Sequence, residues 1–307
     1  MMVRRFLLQC VLLSIPIGLV FGTVAWVDPY GLFGHSGPVP VERKRLNLYH
    51  SGRTMAFSNM LWKLIEFQRE PAPNILLGDS RLSYFDLDAL EQVSGSRYRN
   101  LGIPGGNYRT VRDLFHYADS LTHLRKVCVQ VSFRGLNQGL DWDLYSEARG
   151  VLEKPYTYLY NRRVLEATAL NLFSWTFPDR VTYDATPPDQ WQRVLVAERA
   201  NAQDFHPDTT VYRSLRELAA RCRQHGTELL FVEYPTHPDV QRIYTEAGLG
   251  KEREAYLTEL RAIAPVIDLD RPGLFSAEAD HWRDPLHLTT TAQRELIDRV
   301  WGKERPE

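Results

Sequence analysis

The chain has 307 residues, a length that suits one domain of roughly 200–250 residues with an anchor and extensions. Charged residues make up 24% and hydrophobic residues 44%, which are ordinary globular values. With 37 basic and 38 acidic residues the formal net charge is -1, so the basic field that nucleic-acid binding needs is absent, and nucleic acid is excluded as a partner. No low-complexity tract or internal repeat is visible.

From Phe6 to Val27 there is no charged residue, and Leu, Val, Ile and Phe dominate. As a helix these residues rise about 33 Å, enough to cross a hydrocarbon core of about 30 Å. Arg4 and Arg5 precede the run, which keeps the N-terminus cytoplasmic and places the rest of the chain outside. Residues 1–30 are therefore expected to be a cytoplasmic tip and an uncleaved transmembrane anchor. A cleaved signal peptide is the alternative, but Thr23-Val24-Ala25 is a poor small-residue cleavage site and the run exceeds an ordinary h-region.

Asp28-Pro29-Tyr30-Gly31 signals a turn after the anchor. Residues 31–72 read as a juxtamembrane segment with a helix over 54–69. Alternation begins at 73: a buried strand at Asn74–Leu77, a helix around Asp86–Val93, a strand at Tyr98–Leu101, a helix over 108–124 and a Val-rich strand at Lys126–Phe133. The stretch at about 140–205, rich in Tyr, Trp and Pro, breaks the rhythm and reads as a helical insertion. Its aromatic residues suit either a lid that binds a sugar or partner, or a buried stack. Alternation resumes with a helix at Val211–His225 capped by Gly226, a strand at Thr227–Glu233, a helix at Lys251–Ile263 and a strand at Val266–Leu269. A final helix spans about Thr291–Trp301, with Thr290 and Gln293 resembling a capping box. Such alternation predicts an α/β fold with a parallel sheet, with ligands bound beyond the carboxyl ends of the strands.

Three cysteines fit packing roles: Cys10 in the apolar run, Cys128 in a strand and Cys222 on a helix face. A Cys128–Cys222 disulfide is the alternative in an oxidising compartment. No spacing suggests a metal site, and no cofactor is implied.

Gly78-Asp79-Ser80 directly follows the first strand. A Ser there stands at the mouth of the sheet, beside free N–H groups that can stabilise an oxyanion, although Ser is equally a good helix N-cap. Asp284-Pro285-Leu286-His287 precedes the last helix, and its spacing lets Asp284 orient the imidazole of His287. A loop Asp beside a satisfied His is the plainer reading.

Together these pieces resemble the SGNH (GDSL-like) hydrolase superfamily over about residues 73–301. Gly78-Asp79-Ser80 matches its first block, Asn100-Leu101-Gly102-Ile103-Pro104-Gly105 its second, and Asp284-Pro285-Leu286-His287-Leu288 its last. The resemblance implies a three-layer, flavodoxin-like parallel-sheet domain over 73–307. It also implies a catalytic triad: Ser80 as nucleophile, His287 as base and Asp284 as its partner. The oxyanion hole would comprise the N–H groups of Ser80 and Gly105 with the side chain of Asn137, matched through Gly135-Leu136-Asn137. That third match sits a few residues beyond the strand end, where a plain loop Asn is the alternative. Arg81 stands where lipase-like members carry Leu, so the chain is more like the anchored, cell-surface branch. His281 and Trp282 are candidates for the acyl pocket, and His237 for the cleft; packing is the alternative for each.

The architecture is similar to anchored SGNH proteins that work beside membrane-bound O-acyltransferases in alginate acetylation and teichoic-acid alanylation. It implies an extracytoplasmic serine O-acyltransferase, acetyl being the expected group, acting on a cell-surface polysaccharide with a multispanning O-acyltransferase as partner. The alternatives are a membrane-tethered esterase or deacetylase on small acyl esters, and a non-catalytic glycan-binding module.

Overall fold

A computed structural model describes residues 2–34, 37–50, 55–83, 85–138, 142–181, 187–275 and 278–302. Residue 54 of the expected juxtamembrane helix, and residues 140–141 and 182–186 of the expected insertion, lie outside the described residues. The fold is α/β and mostly helical, with a five-stranded parallel sheet and one long apolar N-terminal helix. The chain divides into two units, residues 1–66 with 144–185, and residues 67–143 with 186–307. The stretch expected to be one insertion is thus divided, its first part belonging with the N-terminal helices.

The first unit contains α1 (Met2–Val27), α2 (Val41–His50) and most of α3 (Met55–Arg69). The order of the chain then passes through β1 (Asn74–Leu77), α4 (Leu87–Ser94), β2 (Arg99–Asn100), α5 (Tyr108–Leu121) and β3 (Lys126–Val131) in the second unit. It returns to the first unit with α6 (Ser146–Glu153) and α7 (Arg162–Thr176). Two buried polar networks explain why 144–185 belongs there. Tyr158 donates to the Asp28 carboxylate at 2.9 Å and accepts from Tyr30 N–H at 3.0 Å. The Asn47 amide donates to Asn171 and Ser174 at 2.8 and 2.9 Å. Each group would carry a desolvation penalty if left unpaired, so these bonds fix which helices meet. The turn expected at Asp28 is present: Gly31 N–H donates to Asp28 O at 3.0 Å, and Gly31 has φ 75°. Helix α2 was not legible in the sequence, because Val41–His50 is mostly polar and charged.

The second unit continues with α8 (Gln190–Gln203), α9 (Thr210–His225), β4 (Glu228–Glu233), α10 (Pro238–Glu246), α11 (Gly250–Ile263), β5 (Val266–Asp268), β6 (Trp282–Asp284), β7 (His287–Leu288) and α12 (Thr290–Trp301). The sheet order is β2-β1-β3-β4-β5, all parallel. This order reverses direction between β1 and β3, the switch point where open α/β sheets bind ligands. The register aligns Leu77 with Val129, Val131 with Glu233, and Glu233 with Asp268, so the segments after β1, β3, β4 and β5 gather along one edge.

Alternate residues of each strand face opposite sides. Leu76, Cys128 and Val232 join Leu90, Leu296, Ile297 and Val300 in a core against α4 and α12. Helices α5, α9 and α11 pack on one another and touch β1, β4 and β5. Cys128 and Cys222 are buried and, like exposed Cys10, free. Gly226 closes α9 with φ 67°, as its position predicted. The last helix departs from the expected capping box: Thr289, one residue earlier, is the N-cap, and Gln293 is buried. Helix α10 and the β6–β7 hairpin were also missed. Pro238 with Asp239 in a first turn was the available signal for α10.

Candidate active site

Strand β1 delivers Gly78-Asp79-Ser80 to the sheet edge, where Ser80–Leu82 form a single 3-10 turn. A side chain at 78 has no room, since a Cβ there would lie 2.5 Å from Gln130 Oε1 and 2.9 Å from Leu82. Gln130 instead accepts from Asp79 N–H at 3.1 Å. Asp79 caps the turn, taking Arg81 N–H at 2.9 Å and the Arg81 guanidinium at 2.9–3.2 Å. Burial would raise the Asp79 carboxyl, but the adjacent Arg81 charge and its hydrogen bonds override this and hold it well below the usual range. Ser80 itself stays half-buried at the cavity wall.

The β6–β7 hairpin brings the second half. Trp282 anchors it in the core, and Asp284 pairs with His287 across a two-residue turn. The Asp284 carboxylate accepts Leu286 N–H at 2.9 Å and His287 N–H at 3.1 Å. It also takes His287 Nδ1 at 2.8 Å through both oxygens. Burial pushes this carboxyl up, but the His287 side chain and the two backbone N–H groups pull harder, so the net shift is downward. An ionised carboxylate only accepts, so Nδ1 carries the proton and Nε2 offers its lone pair. That lone pair faces Ser80 Oγ at 2.8 Å. The structure thus brings Ser80, His287 and Asp284 into one hydrogen-bonded relay, which can remove the hydroxyl proton as the oxygen attacks an electrophile.

The glycine-rich turn after β2 lies against the Ser80 turn. Ile103 N–H donates to Gly78 O at 3.1 Å, and the Asn100 amide donates to Leu82 O at 2.6 Å. Gly105 sits at φ 73°, a conformation that favours glycine. A Cβ on Gly106 would lie 2.8 Å from Gly78 O. Among the described residues, neither Ser80 N–H nor Gly105 N–H has an acceptor. Both residues line one cavity of about 180 Å³, closed on one side by Trp142, whose indole N–H donates to Gly105 O at 2.9 Å.

Asn137 is not brought to this cavity. The residues after β3 coil into a 3-10 turn at Arg134–Leu136, which carries Asn137 past the site. There its amide donates to Asn201 Oδ1 at 2.7 Å and Asp204 O at 3.0 Å, and its oxygen accepts His206 N–H at 3.1 Å. The oxyanion role implied by the resemblance is corrected: Asn137 fastens the end of α8. Arg134 does the same further back, with a 2.7 Å bond to buried Glu198.

The remaining candidates lie outside the Ser80 cavity. Trp282 lies in the core, and neither it nor His281 lines the Ser80 cavity. His237 is buried between Trp191 and Trp282, accepts Asp239 N–H at 3.1 Å as the cap of α10, and donates its own N–H to Pro285 O. It therefore positions the loop between Asp284 and His287. Sequence reasoning missed Gln130, Trp142 and Tyr108. Tyr108 lines the cavity, and its hydroxyl takes Ser132 N–H at 2.9 Å and meets the Tyr256 hydroxyl at 3.1 Å. Tyr256 in turn donates to Glu233, which also accepts Phe133 N–H at 2.9 Å. Burial, with the nearby Asp270 charge, pushes Glu233 up to about 7 against the pull of these bonds.

One surface group, Glu278, Asp280 and His281, offers ligand atoms within 4.8 Å of one another. None of the three lines the Ser80 cavity.

No protein-family model matches the chain, and no curated protein matches it. Among solved structures it is similar to a Streptococcus pneumonia protein provisionally described as a platelet activating factor. That match has TM-score 0.40 and 13% identity over 82% of this chain and 94% of the other. It is also similar to a Bacteroides fragilis protein provisionally described as an acylhydrolase, with TM-score 0.37 and 9% identity over 76% of this chain and 89% of the other.

Proposed function

We propose that this chain is a membrane-anchored serine acyl-transfer enzyme of the SGNH hydrolase type. The observation that carries the reading is the 2.8 Å contact between Ser80 Oγ and His287 Nε2, with Asp284 behind the imidazole and, beside the serine, the N–H groups of Ser80 and Gly105, which have no acceptor among the described residues. Ser80 Oγ attacks an ester carbonyl while His287 takes its proton, giving a tetrahedral oxyanion that the N–H groups of Ser80 and Gly105 receive. Collapse expels the alcohol, which takes the proton from His287 and leaves an acyl-serine. An acceptor hydroxyl then gives its proton to His287 and attacks the acyl carbon; the acyl–Oγ bond breaks as His287 returns the proton to Oγ, which restores Ser80.

The cavity has room for a short acyl group, and we propose acetyl as that group. It adjoins a second, more polar cavity of about 270 Å³, with which it shares Asn107, Tyr108 and Gly135. Arg109, Arg112, Thr210 and Ser214 line that space and offer hydrogen bonds to a hydroxylated acceptor. This supports a hydroxylated acceptor, for which we propose a surface polysaccharide; we further propose that a multispanning O-acyltransferase supplies the acyl group. The acylated relay also serves water, so a tethered esterase is the second reading. Helix α1 is long and apolar enough to cross a membrane. With Arg4 and Arg5 ahead of it, we place the enzyme in the cytoplasmic membrane, with its catalytic unit extracytoplasmic.

The test is turnover of activated esters of increasing acyl length, with and without oligosaccharide acceptors. Acetyl esters should react fastest, and the acceptor should gain acetyl at the expense of free acetate. Release of acetate alone supports the esterase. No turnover of any ester, with or without acceptor, counts against both.

A further inference from the structure

The last two turns of α1 differ from the rest of that helix. Every side chain from Val3 to Val20 is exposed, whereas Val24 and Val27 are buried and Phe21, Thr23 and Ala25 are half-buried. Helix α7 and the 3-10 turn at Pro155–Leu159 cover these turns, and the Tyr160 ring stands 6.3 Å from Phe21. From Phe6, the first residue after the arginines, the bare part to Val20 rises about 22 Å. A hydrocarbon core is about 30 Å thick. The missing length falls on the turns that α7 and Pro155–Leu159 enclose, so that cover lies at the depth of the outer acyl–headgroup boundary.

Its outward side chains suit that depth. Tyr156 is 62% exposed and Tyr160 52%, with ring centroids 6.5 Å apart, and Trp26 on α1 is 54% exposed. Tyr and Trp, apolar in body and polar at the tip, concentrate at membrane interfaces. We propose that Tyr156 and Tyr160 form a lipid-facing aromatic pair, by which residues 155–160 rest at the outer acyl–headgroup boundary of a phospholipid bilayer. This rests on the reading of α1 as a membrane span. It gives the exposed aromatics of the inserted stretch a lipid partner in place of a sugar.

The test uses the full chain in phosphatidylcholine–phosphatidylglycerol nanodiscs, in a Cys10→Ala background that leaves only the two buried cysteines. Environment-sensitive fluorophores are placed singly at Tyr156→Cys, Tyr160→Cys and Leu12→Cys. The labels at 156 and 160 should be quenched by nitroxides near the headgroup and shielded severalfold from aqueous iodide, while the label at 12 responds to nitroxides deep in the acyl chains. Iodide-accessible labels at 156 and 160 with an immersed label at 12 would overturn this inference and leave the anchor standing. A water-exposed label at 12 would remove the anchor reading and this inference with it. On the unmodified chain, a photoactivatable phospholipid should tag the peptide spanning 155–161; tagging confined to α1 would count against the proposal without any substitution.

Discussion

Asp79 and Arg81, the residues on either side of Ser80, are joined to each other by three side-chain hydrogen bonds of 2.9–3.2 Å. The turn that carries the proposed nucleophile is therefore closed by an ion pair, in which the Arg81 side chain is 4% exposed and that of Asp79 16%. Removing one member of such a pair leaves the other charge poorly solvated. Arg81→Ala should lower stability by about 3 kcal/mol and loosen the serine turn, read as a drop in melting temperature together with slower esterolysis. An unchanged melting temperature would mean that the pair contributes little.

Asn137 supplies a second prediction, because its place departs from the pattern the sequence resembles. Its amide is engaged with Asn201 and Asp204. Asn137→Ala should destabilise by about 1–3 kcal/mol through the buried groups it strands, and should change turnover at a permissive temperature by less than about tenfold. Loss of an oxyanion donor would instead lower turnover by about 10²–10³-fold with little change in stability.

The relay itself was legible because its parts are local. Gly78-Asp79-Ser80 follows an apolar run, and Asp284 and His287 lie within one turn of each other, so short spacing and strand context sufficed. Gly226 and the strands β1, β3 and β4 were readable for the same reason. Asn137 was misread because its partners lie 64 and 67 residues away on and just after α8, and no local pattern announces such a bond. Tyr158 was equally hidden, as its Asp28 partner lies 130 residues earlier. Trp142 and Gln130 gave no signal, since a Trp after a loop and a Gln in a strand gain meaning only from what the fold sets beside them.

Asp284 is predicted to act on the imidazole and not on the substrate. Asp284→Asn keeps the side-chain shape but offers an amide where the Nδ1 proton was held, which favours the wrong tautomer. Turnover should fall by about 10⁴-fold with little change in KM. A loss confined to KM would assign Asp284 to substrate binding.

Glu233, joined through Tyr256 to the cavity-lining Tyr108, contributes a pH dependence to stability. Its ordinary value is 4.5 and burial raises it to about 7, so between these values the folded chain holds a proton that the unfolded chain has lost. Its contribution to stability therefore falls as pH rises through this window and is constant above about 7, a span worth roughly 3 kcal/mol. Melting curves from pH 5 to 8 should show this decline in the wild type and a flatter profile in Glu233→Gln. Equal slopes in the two proteins would place the titration elsewhere.

The most direct test of the central claim is intact-mass analysis of the full chain in detergent after treatment with a fluorophosphonate, comparing wild type with Ser80→Ala. An activated serine predicts one adduct on the wild type, mapping to Ser80 and absent from the variant. A folded wild-type protein that stays unlabelled, or a label that persists in Ser80→Ala, would contradict the assignment of Ser80 as the nucleophile.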